Sequence, residues 1–234
     1  MEKERESLKE NDTRIPVNCD AIIIVGLSGS GKSTLMRRLE QVLDVTAVST
    51  SSVIRSHEKK RKGEKGHILG ERTGLLPVDD IAPDRLSRMY IQKAKSSGQP
   101  IVLDAKRGAL EAAWLTQELG REGKEPPKIF TIFLDYANRF ERVVEREKEK
   151  NPNFAKTVDE VKIDTLEREA ADFTRWQEID KLYPGDFYGV NPYNPKAFKH
   201  DLFVENEELD ESIEKIIEGL TTKGFIDPSQ DSKK

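Results

Sequence analysis

The feature that most constrains this chain is a glycine-rich turn between an apolar run and a helical pattern, within residues 21–35. The β-branched residues before the turn predict a buried strand, and apolar residues at helical spacing after it predict a helix. Gly26 is followed, after four residues, by Gly31, Lys32 and Ser33, which is the spacing of the P-loop. A strand, this turn and a helix in that order predict a site for the phosphates of a nucleotide.

The residue types of the turn fit this chemistry. Glycines allow backbone conformations in which successive N–H groups point at phosphate oxygens. We expect Lys32 to contact the β- and γ-phosphates and the Ser33 hydroxyl to bind Mg²⁺. The residues predicted to hold the donor nucleotide are Gly26, Ser28, Gly29, Ser30, Gly31, Lys32, Ser33 and Thr34. The expected cofactors are therefore ATP and Mg²⁺.

Length and charge narrow the class of protein. A chain of 234 residues is long enough for one domain with its own core. Its net charge of −4 argues against a general nucleic-acid-binding protein, and no apolar run approaches the roughly 20 residues of a membrane-spanning helix. The polar N-terminal residues do not resemble a secretory signal, and the single Cys19 excludes an intrachain disulfide. We expect a cytoplasmic protein without a nucleic-acid or membrane partner.

Strand and helix patterns alternate along the chain. Strands are predicted at 22–25, 45–48, 100–104, 129–134 and 201–205, and helices after the P-loop and at 82–95, 109–119, 138–150, 158–182 and 208–220. This alternation predicts an α/β protein with the P-loop NTPase fold, a parallel sheet of about five strands with helices on both faces. We expect flexible tails at 1–18 and 228–234 and a single domain at 19–227.

A second chemical signal is the apolar segment 100–104, which ends in Asp104. After a P-loop, a buried strand that ends in aspartate is typical of the carboxylate that holds Mg²⁺ directly or through water. Ser33 and Asp104 are thus the predicted metal ligands. Lys106 and Arg107 follow at the carboxyl end of this strand, where open α/β sheets bind their ligands.

Two later segments carry weaker signals. The helix predicted at 158–182 has apolar residues at helical spacing, which predict a stripe that packs on the core. The residues of this stripe are Val161, Leu166, Ala170, Phe173 and Trp176. The segment 184–198 is rich in aromatic residues and prolines, which favour an ordered loop.

Several segments, in order over residues 21–220, resemble the nucleoside monophosphate kinases of the adenylate and cytidylate kinase superfamily. Residues 49–55 resemble the family segment S-T-G-D/E-hydrophobic-hydrophobic-R, although serines replace its Gly and Asp/Glu. Residues 74–77 resemble the G-x-L-V-P turn that lines the acceptor base. Residues 103–107 resemble the L-D-G…R segment, shortened by one residue. Residues 168–176 are similar to the R-E-x-x-E-x-x-R-Y helix of archaeal-type cytidylate kinases.

The resemblance implies roles for these positions. The implied acceptor-binding residues are Thr50, Arg55, Leu76, Arg107 and Arg175, and the implied catalytic residues are Lys32, Arg107, Arg146 and Arg168, with Arg142 as a further candidate. The segment at about 49–80 would bind the acceptor, and a short lid would lie at about 147–157. Residues 57–80 and about 147–157 would close over the substrates and exclude water.

The function that the resemblance implies is Mg²⁺-dependent transfer of a phosphoryl group from ATP to a nucleoside monophosphate of the AMP or CMP class, giving ADP and a nucleoside diphosphate. One alternative is a P-loop kinase of another small molecule, such as dephospho-coenzyme A or an alcohol. An alcohol acceptor would need a carboxylate base, and Asp79, Asp80 or Asp104 would be available. A second alternative is a nucleotide-dependent switch or binding module.

Overall fold

The structure, a computed structural model, describes residues 14–53, 86–136, 138–180, 198–205 and 208–229, with 191, 194 and 196. Its strands are β1 Ala21–Gly26, β2 Thr46–Ser49, β3 Ile101–Asp104, β4 Ile129–Asp135 and β5 Leu202–Glu205. Its longer helices are α1 Lys32–Val42, α2 Leu86–Ser97, α3 Gly108–Arg121, α4 Arg139–Lys150, α5 Val158–Asp180 and α6 Leu209–Thr222. Each predicted strand and helix is present, with shifts of a few residues at the ends that the structure describes.

The sheet has five strands in the order β2-β3-β1-β4-β5, and every pair is parallel. β1 lies at the centre, between β3 and β4. Parallel neighbours require crossover connections, which the intervening helices provide. The predicted P-loop NTPase fold with about five parallel strands is therefore confirmed.

Each face of the sheet has its own apolar core because the side chains of β1 alternate between the faces. Ile22 and Ile24 pack with Leu35 and Leu39 of α1 in one cluster. Ile23 belongs to the other cluster, with residues of α2 and α3. All six residues of β1 are buried, as expected of a central parallel strand covered by helices on both sides.

Residues 14–18 belong to the folded domain, which corrects the predicted tail at 1–18. Ile15 and Val17 are buried in the first apolar cluster. The Ile15 N–H donates to the Val42 carbonyl at 2.9 Å, and the Asp44 N–H donates to the Ile15 carbonyl at 2.8 Å. These apolar residues lie among polar neighbours, so the composition of the segment did not reveal their docking. Residues 1–13 lie outside the described ranges.

The topology brings three strand ends together at one edge of the sheet. In the strand register, Asp104 of β3 lies beside Ile24 of β1 and Ser49 of β2. β1 ends at Gly26, from which the chain enters the P-loop. In open α/β sheets this edge is where ligands bind. None of the helices in the described ranges has the length and apolar character needed to cross a membrane.

Candidate functional site

The turn after β1 adopts a conformation that depends on its glycines. Gly26, Gly29 and Gly31 have φ values of 144°, 86° and 86°, which other residues rarely adopt. Gly31 is the N-cap of α1, so Lys32, Ser33 and the N–H groups of the first helical turn follow it directly. A helix that begins in this way presents free N–H groups and a partial positive charge to an anion.

Lys32 lies folded against the start of its own loop. Its ammonium group donates hydrogen bonds to the carbonyls of Gly26 at 2.9 Å and Leu27 at 2.7 Å. Burial lowers the pKa of Lys32 from its ordinary value, and the nearby Asp104 carboxylate opposes this shift. A buried ammonium whose hydrogen bonds within the described residues go to neutral carbonyls is well suited to an anionic ligand, which would compensate its charge.

The Ser33 hydroxyl and the Asp104 carboxylate meet across the ends of the P-loop and β3. Ser33 Oγ donates a 2.7 Å hydrogen bond to Asp104 Oδ2. The Thr50 hydroxyl donates to the backbone carbonyl of Asp104 at 3.3 Å and so helps to fix the end of β3. The structure therefore brings the two predicted metal ligands into contact.

A cavity of about 1100 Å³ opens at this edge of the sheet. The predicted site residues that line it are Ser28, Gly29, Gly31, Lys32, Ser33, Thr34, Asp104, Arg146 and Arg168. Gly26, Ser30 and Thr50 are not among its lining residues. The nucleotide-binding prediction thus agrees with one continuous cavity that reaches from the P-loop to helices α4 and α5.

Cationic side chains from α4 and α5 face this cavity. Arg142 lies over the Tyr136 ring at 4.2 Å, and its Nη1 is buried without a hydrogen-bond partner in the described part of the chain. Arg146 pairs with Glu147 at 2.9 Å and keeps 54% of its side chain exposed. Lys106 Nζ lies 2.5 Å from Asp172. A guanidinium nitrogen buried without a partner at a cavity wall favours an anionic ligand there.

Arg107, predicted to bind the acceptor phosphate, lies outside the set of residues that line the cavity. Its guanidinium is largely buried and lies 3.4 Å from the Glu111 carboxylate, one helical turn later. Arg88 Nε lies 2.7 Å from the same carboxylate and stacks on Trp114. The predicted acceptor residues Arg55 and Leu76 and the side chain of Arg175 lie outside the described part of the chain.

The donor set fits a magnesium nucleotide. Ser33 and Asp104 supply hard oxygen ligands, which Mg²⁺ prefers, next to the N–H groups that would hold its phosphates. No group of three or more His, Cys, Asp or Glu residues forms a self-contained metal site in the described ranges. Such a pair would therefore share the ion with phosphate and water oxygens, as is usual for Mg²⁺.

Sequence reasoning missed the buried face of α5. The predicted apolar stripe is wrong at Leu166, which is 45% exposed, and at Ala170, which is also exposed, whereas Thr165 and Glu169 are buried. Glu169 forms an ion pair with Arg139 of α4 at 2.9 Å, and both side chains are almost fully buried. The resemblance includes Glu169 as part of a motif, but no sequence signal pairs it with Arg139, thirty residues earlier.

Similarity to known proteins extends over much of the chain. An adenylate kinase of Thermotoga petrophila is 25% identical in an alignment 108 positions long, which covers 44% of this chain and 48% of that enzyme. The chain thus spans about half the length of this relative. An uncharacterized protein of Eubacterium ventriosum has a similar fold, with a TM-score of 0.50 and 12% identity, covering 86% of this chain and 98% of that one. The APS kinase CysC of Mycobacterium tuberculosis has a TM-score of 0.43 and 20% identity, covering 88% and 99%.

A family model for an AAA domain, AAA_33, matches residues 22–174. The matched range begins in β1 and contains the P-loop, Asp104 and the Arg139–Glu169 pair. It includes every segment that lines the cavity. On this match, which extends over more than half of its length, the chain belongs to the AAA_33 family of P-loop domains.

Proposed function

We propose that this protein transfers the γ-phosphoryl group of ATP, with Mg²⁺, to the phosphate of a nucleoside monophosphate of the AMP or CMP class. The observation that carries the proposal is that one cavity joins a P-loop to a set of arginines. The P-loop supplies Lys32 and Ser33, and helices α4 and α5 supply Arg142, Arg146 and Arg168. Phosphoryl transfer depends mainly on such positioning and charge stabilisation.

In the proposed reaction, an oxygen of the acceptor phosphate forms a bond to the γ-phosphorus while the bond to the β–γ bridging oxygen breaks and ADP leaves. Lys32 would hold the donor phosphates, and Ser33 and Asp104 would hold the magnesium ion. Mg²⁺ neutralises phosphate charge when it is bound. The arginines of α4 and α5 would stabilise the charge of the transferring group. The acceptor is already an anion, so no general base is required.

Two observations support a phosphate acceptor over an alcohol. The relative from Thermotoga petrophila is an adenylate kinase. In addition, Asp104, the one of the three candidate bases that lies in the described part of the chain, accepts a hydrogen bond from Ser33 and is a predicted Mg²⁺ ligand. A carboxylate that holds Mg²⁺ would not be available to take the proton of an alcohol.

The test is ADP formation from ATP and Mg²⁺ with AMP, CMP, UMP, GMP, dCMP or dephospho-coenzyme A as acceptor. We expect turnover with one monophosphate, loss of turnover in Lys32→Ala, and no change in Lys215→Ala, which alters an exposed lysine of α6. Turnover with dephospho-coenzyme A alone would contradict the monophosphate assignment. Binding of ATP without turnover would favour a switch or binding module.

The acceptor residues remain part of this proposal. In the same assay, Arg55→Ala is expected to raise the KM of the acceptor and to leave the KM of ATP unchanged, because its guanidinium would contact only the acceptor phosphate. Equal increases for both substrates would contradict this role. Arg107→Ala tests the second implied contact in the same way.

A further inference from the structure

A buried ion pair lies beside the P-loop and is not among the residues that line the cavity. Arg139, at the start of α4, donates two hydrogen bonds to Glu169 of α5. Its Nη1 lies 2.9 Å from Oε1, and its Nη2 lies 3.4 Å from Oε2. Arg139 is 7% exposed and Glu169 is 6% exposed. Burying two charges costs desolvation energy, and the pair persists only where further hydrogen bonds satisfy its remaining atoms.

The further hydrogen bonds of the pair go to one residue of the P-loop. Glu169 Oε1 accepts a 3.0 Å hydrogen bond from the Ser28 N–H. Arg139 Nη1 donates at 3.2 Å to the Ser28 carbonyl. The buried pair therefore hydrogen-bonds to both the N–H and the carbonyl of Ser28, a residue that also lines the cavity.

The next residue of the loop packs on the same helix. A Cβ atom at Gly29 would lie 2.8 Å from the Arg139 carbonyl oxygen and 2.9 Å from Val143 Cγ2. The loop backbone thus lies in close contact with the first turns of α4. Gly29 also has a φ of 86°, a conformation that other residues rarely adopt, so a side chain at this position would be both strained and too close to α4.

We propose that Arg139 and Glu169 are positioning residues that hold Ser28 and Gly29 in the conformation that receives the donor phosphates. Helices α4 and α5 then determine nucleotide affinity through the loop backbone, in addition to the arginines that they place in the cavity. The proposal rests on the proposed function only for the choice of ATP as the ligand.

Single substitutions are expected to weaken ATP binding. Glu169→Ala removes both the acceptor of the Ser28 N–H and the partner of a buried guanidinium, so we expect about a 10- to 100-fold rise in the Kd of ATP. Glu169→Gln keeps an oxygen that can accept from Ser28 but loses the charge, so a smaller rise is expected. The Kd of ATP is measured by titration calorimetry with ATP and Mg²⁺ in the absence of any acceptor.

A double variant separates positioning from stability. Arg139→Met combined with Glu169→Met replaces the ion pair by apolar side chains, an exchange that often restores stability at buried pairs. Under the proposal, the urea midpoint of this variant recovers but its ATP affinity stays low, since the backbone groups of Ser28 have lost their partners. The control is Arg38→Met with Asp210→Met, which removes an exposed pair separated by 3.5 Å.

The outcomes differ clearly. Recovery of both the urea midpoint and ATP affinity in the double variant, or unchanged or tighter ATP binding in a folded Glu169→Ala variant, would overturn the proposal. Weak ATP binding in a folded double variant would support it. Because ATP binding is measured without an acceptor, failure of the kinase assay would overturn the proposed reaction and leave this positioning role intact.

Discussion

Ser33 Oγ donates a 2.7 Å hydrogen bond to Asp104 Oδ2, although the two residues are 71 positions apart in the sequence. The bond joins the start of α1 to the end of β3 at the edge of the sheet where the cavity opens. It places a hydroxyl and a carboxylate side by side as hard oxygen ligands.

The first prediction concerns the metal pair. Asp104→Asn keeps the shape of the side chain but removes the charge that would hold Mg²⁺, so the transfer rate is expected to fall about 100-fold or more. Initial rates measured over a Mg²⁺ titration provide the check. Asp44→Asn changes a largely exposed aspartate and serves as the control. A rate for Asp104→Asn within about twofold of the unmodified protein would contradict the assignment.

The second prediction concerns the packing contact between Gly29 of the P-loop and helix α4. Gly29→Ala would force a methyl group to within 2.8 Å of the Arg139 carbonyl oxygen, so the loop must move. Gly98→Ala is a matched control, because Gly98 has a φ of 66° but no heavy atom within 4 Å of the added methyl group. Both variants should lose about 1 kcal/mol of unfolding free energy from the positive φ.

Only Gly29→Ala should also weaken ATP binding, by about tenfold or more, since a displacement of the loop misplaces its N–H groups. Urea unfolding and ATP titration of both variants give the two quantities. Similar ATP affinities in the two variants would show that the contact with α4 does not control the loop.

The third prediction concerns the turn between α4 and α5, which lies in the segment expected to act as a lid. Phe154 and Lys156 of this turn line the cavity. Thr157 and Glu160 exchange hydrogen bonds that cap α5, with the Thr157 N–H donating to Glu160 at 2.8 Å and the Glu160 N–H donating to Thr157 Oγ1 at 3.3 Å. We propose that residues 151–157 close over the bound nucleotide.

Hydrogen exchange of residues 151–157 should therefore slow when ATP and Mg²⁺ bind, whereas exchange in α6 should not change. α6 is the internal control because it packs on the apolar cluster that contains Leu35 and Leu39. Unchanged exchange in the turn, under conditions where ATP is bound, would contradict closure.

The fourth prediction concerns the stability of the ion pair beside β5, the outermost strand of the sheet. Asp201 accepts hydrogen bonds from the Thr131 N–H and from Lys223 Nζ, each at 2.9 Å. Burial alone would raise the pKa of the Asp201 carboxyl, but these hydrogen bonds outweigh it, and its pKa lies below the ordinary value. The pair with Lys223 thus contributes stability above the unfolded pKa of about 3.9, and this is lost as the pH falls through the folded pKa.

At pH 7, Asp201→Asn should lower the unfolding free energy by about 1–2 kcal/mol, because the substitution removes the ion pair with Lys223. The difference from the unmodified protein should shrink at pH 3, because the Asp201 carboxyl of the unfolded chain is then largely protonated and this proton uptake favours unfolding. Urea unfolding at the two pH values measures both differences. An equal difference at both would rule out a contribution from the carboxylate charge.

The sheet and the P-loop could be predicted because their signals are local. The residues of β1 are buried on both faces, so the strand is a continuous β-branched run that the sequence displays directly. The P-loop depends on glycines at fixed spacing, and the three positive φ values occur where its glycines stand. Asp104 could be identified because it directly follows a buried apolar run.

The polar contacts between helices could not be predicted, because their partners are distant in sequence. The period of α5 favours a stripe through Leu166, but the helix faces a cavity and a buried arginine, so Thr165 and Glu169 are buried together with Val161. Arg107 was predicted to contact the acceptor because it follows β3. Its partner Glu111 lies only four residues later, a helical spacing from which the ion pair could have been proposed.

The most direct test of the proposed reaction follows the γ-phosphoryl group itself. ATP with a radiolabelled γ-phosphate is incubated with Mg²⁺, the protein and the monophosphate that gives turnover, and the products are separated. We expect one labelled nucleoside diphosphate to form for each ADP, and the labelled product to be lost in Lys32→Ala. Label that appears only as inorganic phosphate, and depends on Lys32, would contradict it and identify the protein as a nucleotide hydrolase.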